Sequence, residues 1–141
     1  MSGPESRIVP ERTELTEHYW ARAARGVIAL QRCGDCAQVW HPPSPSCPTN
    51  PSHRIEWFDA SGRGQLYSYT QVEHAAHPAV ADQLPYVIAL IDLEEGPRFV
   101  CGLIYADVAN LKPGAEITLN SAPTVGGLTL PMARLSPSPA R

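Results

Sequence analysis

From residue 55 onward the chain alternates short apolar runs with glycine- and proline-containing turns, the pattern of a β-rich domain. It predicts strands at residues 86–93, 98–105, 116–120 and 128–135, preceded by one long bent strand made of 56–59 and 65–73. The turn at 94–97 predicts a hairpin, and residues 107–111 predict a single helical turn before the fourth strand. Five strands with a helical connector between the third and the fourth have the order of an OB-fold barrel, so a mainly β fold is expected.

The N-terminal region carries one helical pattern. Leu15, Tyr19 and Ala23 recur at spacings of four residues, with acidic residues early, arginines late and Gly26 as a stop. We therefore predict a helix at residues 13–25, preceded by a polar tail. Because one short amphipathic helix is not stable alone, its apolar face should pack against the rest of the protein.

Between the helix and the barrel, the cysteines predict a zinc ribbon. Short strands predicted at residues 27–31 and 38–40 flank Cys33 and Cys36, a Cys-x-x-Cys pair with the spacing that one tight turn supplies to a metal ion. After ten intervening residues, Cys47 stands where a second such turn should begin. A tetrahedral ion needs ligands from two separate turns, so this arrangement favours zinc.

The second turn lacks its expected fourth cysteine. Asn50 occupies that position, and its neutral amide oxygen is a poor zinc ligand beside thiolates. His53, three residues further on, supplies a nitrogen if the loop folds back, whereas His41 is a weaker candidate. The alternative is a ribbon that keeps its shape without metal. The predicted metal ligands are Cys33, Cys36, Cys47 and His53.

The composition agrees with a small ribbon plus a barrel and argues against nucleic-acid binding. A chain of 141 residues suffices for a small appendage and a compact barrel, and its 15 prolines favour turns over long helices. The net charge is −3 and the 11 basic residues are scattered, whereas a nucleic-acid-binding protein normally clusters them. We predict a tail and helix at residues 1–26, a zinc-ribbon-like module at 27–56, a barrel at 57–135 and a flexible tail at 136–141.

The cysteine usage also bears on the compartment. Four cysteines without a secretory leader predict a reducing, cytoplasmic location, with thiols or metal instead of disulfides. No run of about 18 apolar residues is present, so no membrane-spanning segment is expected.

The sequence yields no catalytic constellation. His74 and His77 lie in a proline-containing segment, but no acid or cysteine is fixed near them, which favours a solvated loop. Cys101 stands in an apolar, β-rich stretch typical of a buried, inert thiol. The acids of segment 92–95 sit at a hairpin end, where such groups usually face solvent. We therefore predict no catalytic residue in this chain.

Taken together, the motifs resemble a known family. Their order after the helix is R-C-x-x-C, W-H-P-P, C-P, E-W, S-G-R-G-Q-L-Y-S-Y-T, L-P-Y-V-I-A-L-I-D-L-E-E-G-P-R and L-T-L-P, across residues 14–135. In this order they are similar to the OB-fold proteins with a rubredoxin-like zinc ribbon, the domain of unknown function 35 family. In that family four ribbon cysteines hold zinc. Three of them match here, as Cys33, Cys36 and Cys47, while the fourth is Asn50.

The resemblance implies a non-catalytic accessory subunit, required by a thiolase-fold enzyme whose acyl-CoA site it helps to form. Such partners are thiolases, acyltransferases and lipid-transfer-protein-like aldolases of steroid side chains. The implied cofactors are zinc and an acyl-CoA shared with the partner, in a hetero-oligomer without nucleic acid or membrane. The alternative is a nucleic-acid-binding module of ribbon and OB fold. A third hypothesis, a rubredoxin-like electron carrier, would need four thiolates.

Overall fold

The computed structural model describes residues 8–104, 108–125 and 127–136, with the backbone alone at 108 and 120–125. Its elements are the helix α1 (Glu17–Ala23) and the strands β1 (Ala29–Cys33), β2 (Val39–Trp40), β3 (Ile55–Asp59), β4 (Arg63–Val72), β5 (Tyr86–Leu93), β6 (Arg98–Leu103), β7 (Glu116–Val125) and β8 (Leu128–Leu135). Two 3-10 helical segments, Pro78–Gln83 and Val108–Asn110, follow β4 and β6. In these ranges no helix combines the length and the hydropathy that a bilayer crossing requires.

The helix α1 is shorter than the segment 13–25 predicted from the sequence. Residues before it form a separate turn, because the Thr13 hydroxyl accepts from Thr16 N at 3.2 Å and the Thr16 hydroxyl accepts from Thr13 N at 3.0 Å. Hydroxyl groups that bond to nearby backbone compete with helix formation in this way. The predicted apolar face is present, since Tyr19 and Ala23 are buried and α1 packs against β1 and β8.

The first three strands form an antiparallel sheet in the order β2-β1-β3. The prediction that residues 56–59 begin the first barrel strand is therefore wrong: β3 pairs with β1 along its whole length. A sequence pattern of apolar and polar residues predicts a strand but does not identify the strand that pairs with it. Gly62, at φ 80°, then turns the chain before β4 begins, which is a conformation that favours glycine. The predicted module limit between residues 56 and 57 falls inside β3.

The other five strands close into a barrel in the order β4-β5-β6-β8-β7, with β7 pairing back to β4. Neighbouring strands are antiparallel except β6 and β8, which are parallel. This topology is the OB fold, so the mainly β prediction of helix, ribbon and five-stranded barrel is confirmed. At Gly64 the strands approach closely, because a Cβ there would lie 2.5 Å from the Asp92 carbonyl oxygen.

Most barrel strands lie where the sequence predicted them. β5 and β8 have the predicted bounds, 86–93 and 128–135. β7 is longer than predicted, and a 3-10 segment occupies part of what was expected to be a loop before β5. Three parts of the predictions lie outside the described residues. They are the end of the third barrel strand at 105, the start of the helical turn at 107, and residues 137–141 of the tail.

One hydrophobic core joins the helix, the ribbon sheet and the barrel. Tyr19 from α1 and Leu30 from β1 belong to the same buried cluster as Leu66, Ile91 and Ile117 from the barrel. Full burial of such a side chain stabilises the folded state by about 1.5–3 kcal/mol. The ribbon and the barrel therefore share packing instead of being loosely connected.

The connection between β3 and β4 is also fixed by hydrogen bonds. Ser61 N donates to the Glu95 carboxylate at 2.6 Å, and Leu119 N donates to the Gly62 carbonyl at 2.8 Å. The sequence suggested that Glu95 faces solvent, but it is half-buried and holds this connection. The reason is non-local, since the β5–β6 hairpin folds back over the start of β4.

Candidate metal centre and its surroundings

The structure brings together the four residues that the sequence singled out as metal ligands. The thiols of Cys33, Cys36 and Cys47 and a ring nitrogen of His53 all lie within 4.8 Å of one another. Cys33 Sγ is 3.4 Å from His53 Nδ1, and Cys36 Sγ is 3.9 Å from Cys47 Sγ. Around a tetrahedral zinc ion the corresponding separations are about 3.6–3.8 Å, so the donor set fits this ion.

The first cysteine pair occupies a tight turn. Cys33 Sγ accepts from the backbone N–H of Asp35 at 3.4 Å and of Cys36 at 3.2 Å, so backbone hydrogen bonds fix the position of this sulfur. Ala37 N donates to the Cys33 carbonyl at 3.0 Å and closes the turn. Ala37 adopts φ 63°, in the left-handed region where alanine is strained.

Asn50 does not take the place of the fourth cysteine but shapes the loop that returns to the cluster. Its side-chain oxygen accepts from Ser52 N at 3.0 Å and from the Ser52 hydroxyl at 2.8 Å. Its carbonyl accepts from His53 N at 3.1 Å. Asparagine commonly stabilises turns through such contacts. The loop therefore folds back far enough for His53 to reach Cys33.

Backbone contacts then hold this loop against the first turn. Gly34 N donates to the Arg54 carbonyl at 2.9 Å, and Arg54 N donates to the Asp35 carboxylate at 2.9 Å. These bonds flank His53 and fix the chain at the start of β3. The position of the imidazole thus depends on β3 as well as on the loop.

The surroundings of Cys47 favour its thiolate form. Burial alone would raise the pKa of this thiol, but hydrogen bonds from the backbone of Asn50 and Thr49, together with His53 and Cys33, lower the pKa to about 6. The thiolate is the form that binds metal. Cys47 is therefore mainly a thiolate at neutral pH and can serve as a ligand.

A buried glutamine that sequence reasoning missed supports the site. Gln31, on β1, is 2 % exposed, and its side-chain oxygen accepts from Trp40 Nε1 and Ser44 N, both at 2.6 Å. Its side-chain nitrogen donates to the Ser44 carbonyl at 3.0 Å. Gln31 thereby anchors residues 41–46, the proline-rich crossing that leads to Cys47. A polar side chain at an inward strand position was the only signal in the sequence.

His41, the weaker ligand candidate, lies outside the cluster. Its ring centroid is 4.9 Å from that of Phe99 and 5.6 Å from that of Tyr19, so it packs where the ribbon, α1 and the barrel meet. Burial lowers the pKa of His41 to about 4, which keeps the ring neutral at pH 7. His41 is therefore a packing residue of this junction.

The other candidate reactive groups are engaged differently. His77 Nδ1 accepts from Ala79 N at 3.0 Å and caps the 3-10 segment, while His74 is exposed. Burial raises the pKa of the Cys101 thiol to about 12, so this thiol stays protonated at neutral pH. A protonated thiol is a weak nucleophile.

Two surface features of the barrel bear on binding. Ile104, Asn110, Arg134 and Leu135 line an open concavity of about 470 Å³, a size within the range of ligand sites. Val100 is 63 % exposed on the outer side of β6. This outer side belongs to the strands on which OB folds commonly bind oligonucleotides or sugars.

Known families match both parts of the chain. The ChsH2 rubredoxin-like zinc ribbon domain matches residues 20–50, and the ChsH2 C-terminal OB-fold domain matches residues 57–120. One solved structure, titled Ltp2-ChsH2(DUF35) aldolase, contains a chain that is 33% identical, with a TM-score of 0.80, and the match covers 90% of this chain and 98% of that one.

Two curated relatives are hydratase subunits. The probable enoyl-CoA hydratase alpha subunit of Thermomonospora curvata is 34% identical over 91% of this chain, and the 3-oxo-4,17-pregnadiene-20-carboxyl-CoA hydratase alpha subunit of Mycobacterium tuberculosis is 32% identical over 81%. The chain spans 45% and 36% of their lengths, less than half of each.

The fold and the cysteine cluster define an OB-fold protein with a rubredoxin-like zinc ribbon. Within this class, the chain belongs to the DUF35 family of ChsH2 type.

Proposed function

We propose that this chain is a non-catalytic accessory subunit that binds a thiolase-fold enzyme of the lipid-transfer-protein type and helps to form its acyl-CoA site. The observation that carries the proposal is the match to nearly the whole DUF35 chain of a structure titled Ltp2-ChsH2(DUF35) aldolase, at 33% identity. The acyl-CoA class follows from the names of the relatives, and the M. tuberculosis name extends the proposal to steroid side chains.

The packing of the molecule supports an accessory role. Tyr19 and Leu30 tie the helix and the ribbon into the barrel core, and the Ser61 to Glu95 hydrogen bond fixes the connection between them. A partner that binds both parts would meet a surface that is already ordered, which lowers the entropic cost of association. The protonated state of Cys101 also argues against a nucleophile at this position.

The open concavity beside β8 is a suitable place for part of an acyl-CoA. Ile104 and Leu135 provide apolar walls, and the guanidinium of Arg134 adds a positive charge that suits phosphate groups. Because the concavity is open, a second protein that covers it would enclose a ligand there.

The test is reconstitution with the lipid-transfer-protein-like, thiolase-fold enzyme of the same organism. We expect a stable heteromeric complex by light scattering, and thioester turnover by the complex that exceeds turnover by the enzyme alone. An acyl-CoA series serves as probe, and it includes 3-oxo-4,17-pregnadiene-20-carboxyl-CoA and its hydrated form, which carries the β-hydroxyl group that a retro-aldol cleavage requires. Turnover by the isolated chain, or absence of a complex, would contradict the proposal. A steeply salt-dependent affinity for single-stranded DNA would instead support the nucleic-acid alternative.

We further propose that Cys33, Cys36, Cys47 and His53 bind one zinc ion. With four protein donors the site is closed, so zinc would stabilise the ribbon and would leave no open position for a substrate. The imidazole among the donors separates this site from the four-thiolate iron site of a rubredoxin-like carrier.

Elemental analysis of the purified chain tests this assignment. We expect about one zinc per chain, loss of most of it in His53→Ala and recovery in His53→Cys, which restores a four-donor set. His74→Ala is the matched control, because His74 is an exposed histidine outside the cluster. Full zinc occupancy in His53→Ala would remove His53 from the ligand set.

A further inference from the structure

The three cysteines of the cluster differ in accessibility. Cys33 and Cys47 are buried, whereas Cys36 is exposed. The Cys33 sulfur also accepts two backbone N–H groups and contacts His53 Nδ1. An oxidant that arrives from solution therefore meets Cys36 first, since oxidation of cysteine follows exposure and thiolate character.

A second thiol stands within reach of Cys36. Cys47 Sγ lies 3.9 Å from Cys36 Sγ, on the other cysteine turn. We propose that this pair is a peroxide-sensitive site, in which oxidation joins Cys36 to Cys47 and releases the metal ion from the ribbon. The inference rests on the zinc site proposed above.

The chemistry needs only a peroxide as co-reactant. The Cys36 thiolate attacks the peroxide oxygen, the O–O bond breaks, and Cys36 becomes a sulfenic acid while one water leaves after protonation. The Cys47 thiolate then attacks the Cys36 sulfur, the S–O bond breaks, and the hydroxide takes up a proton to leave as a second water. The two thiols lose two electrons and the peroxide gains them, so the zinc ion keeps its charge.

The donor set limits this reaction to a single disulfide. Once Cys36 and Cys47 are joined, Cys33 and His53 remain, which is two donors where a structural zinc ion takes four. Because position 50 is asparagine, Cys33 has no thiol partner left in the cluster. A ribbon with four cysteines would instead be able to form two disulfides.

The test treats the zinc-loaded chain with hydrogen peroxide and follows three signals. We expect one zinc per chain to reach a chromogenic chelator, total thiols counted after denaturation to fall from four to two, and peptide mass spectrometry to identify a Cys36–Cys47 disulfide. Dithiothreitol and added zinc should restore the original state. Retention of zinc, or a Cys33–Cys36 disulfide in its place, would overturn the inference.

Three variants sharpen the result. Cys36→His keeps four donors but removes the exposed thiol, so zinc release should slow by about tenfold or more. His53→Cys should lose two further thiols, because it supplies the partner that Cys33 lacks. Cys101→Ser should release zinc at the unaltered rate. A preparation without zinc would overturn the metal site together with this inference, whereas zinc that resists peroxide overturns the inference alone.

Discussion

The barrel and the ribbon tip, here residues 33–55, are stabilised by different interactions. In the barrel, side chains such as Leu66, Ile91 and Ile117 are 1 % exposed or less and pack in one large cluster. The buried cluster of the ribbon tip contains Cys33, Trp40 and Cys47, two of which are candidate metal ligands. Burial of apolar side chains therefore stabilises the barrel, while hydrogen bonds and the candidate metal ligands stabilise the tip. Perturbations of each type should affect one region before the other.

Metal removal should have the largest effect, and it should be confined to the tip. Structural zinc contributes about 10–16 kcal/mol of apparent binding free energy in small zinc domains, far more than the tip cluster can supply by burial. With a chelator, we expect hydrogen exchange to accelerate at residues 33–55 and to remain slow in β5 and β6. Equal acceleration in both regions would contradict the comparison.

A cavity in the barrel should have the next largest effect. Ile91 is fully buried, so Ile91→Ala should lower the free energy of unfolding by about 3–4 kcal/mol, measured by urea titration. Val100→Ala is the control, because Val100 is 63 % exposed and should change stability by less than about 0.5 kcal/mol. A similar loss in both variants would mean that burial does not decide barrel stability.

Loss of the glutamine that anchors the crossing should be smaller but still clear. Gln31→Leu keeps the volume and leaves Trp40 Nε1 and Ser44 N without their acceptor, so we expect a loss of about 2–3 kcal/mol in the same titration. Gln71→Leu removes an exposed contact with Glu73 and should be nearly neutral. An equally small effect at Gln31 would show that water replaces its bonds.

Acid should weaken the junction between the two regions. The folded state lowers the pKa of His41 from 6.5 to about 4, so between these values the unfolded chain binds more protons than the folded one. The contribution of His41 to the free energy of unfolding should therefore fall as pH decreases from 6.5 to 4, by at most about 1.4 kcal/mol per pH unit, and level off below. His41→Gln should reduce this slope, and His74→Gln, at an exposed histidine outside the junction, is the matched variant for comparison.

The smallest expected effect is a gain in the first cysteine turn. Ala37→Gly removes the strain of the left-handed conformation, partly offset by the entropy of glycine, so stability should rise by about 0.5–1 kcal/mol. Ala21→Gly, in the exposed part of α1, should instead lower it by about 1 kcal/mol. Thermal unfolding of both variants measures the difference in sign.

Local sequence signals predicted much of the fold because they depend on neighbouring residues. Apolar runs between turn residues gave the bounds of β5 and β8, and the cysteine spacing, with His53 beyond it, indicated which four side chains come together. The assignment of β3 failed because its pattern suits either sheet and only the pairing with β1 decides. The roles of Gln31 and Glu95 were missed for the same reason, since both depend on contacts with distant segments.

The turn at Asn50, which brings His53 back to the cysteines, has a practical consequence for finding related sequences. A search pattern that demands two Cys-x-x-Cys pairs would discard this chain, although its four donor side chains meet in one place. The appropriate pattern is Cys-x2-Cys-x10-Cys-x5-His, with an asparagine midway through the last interval. A survey that uses this pattern should recover ribbons whose fourth ligand is a histidine in place of cysteine.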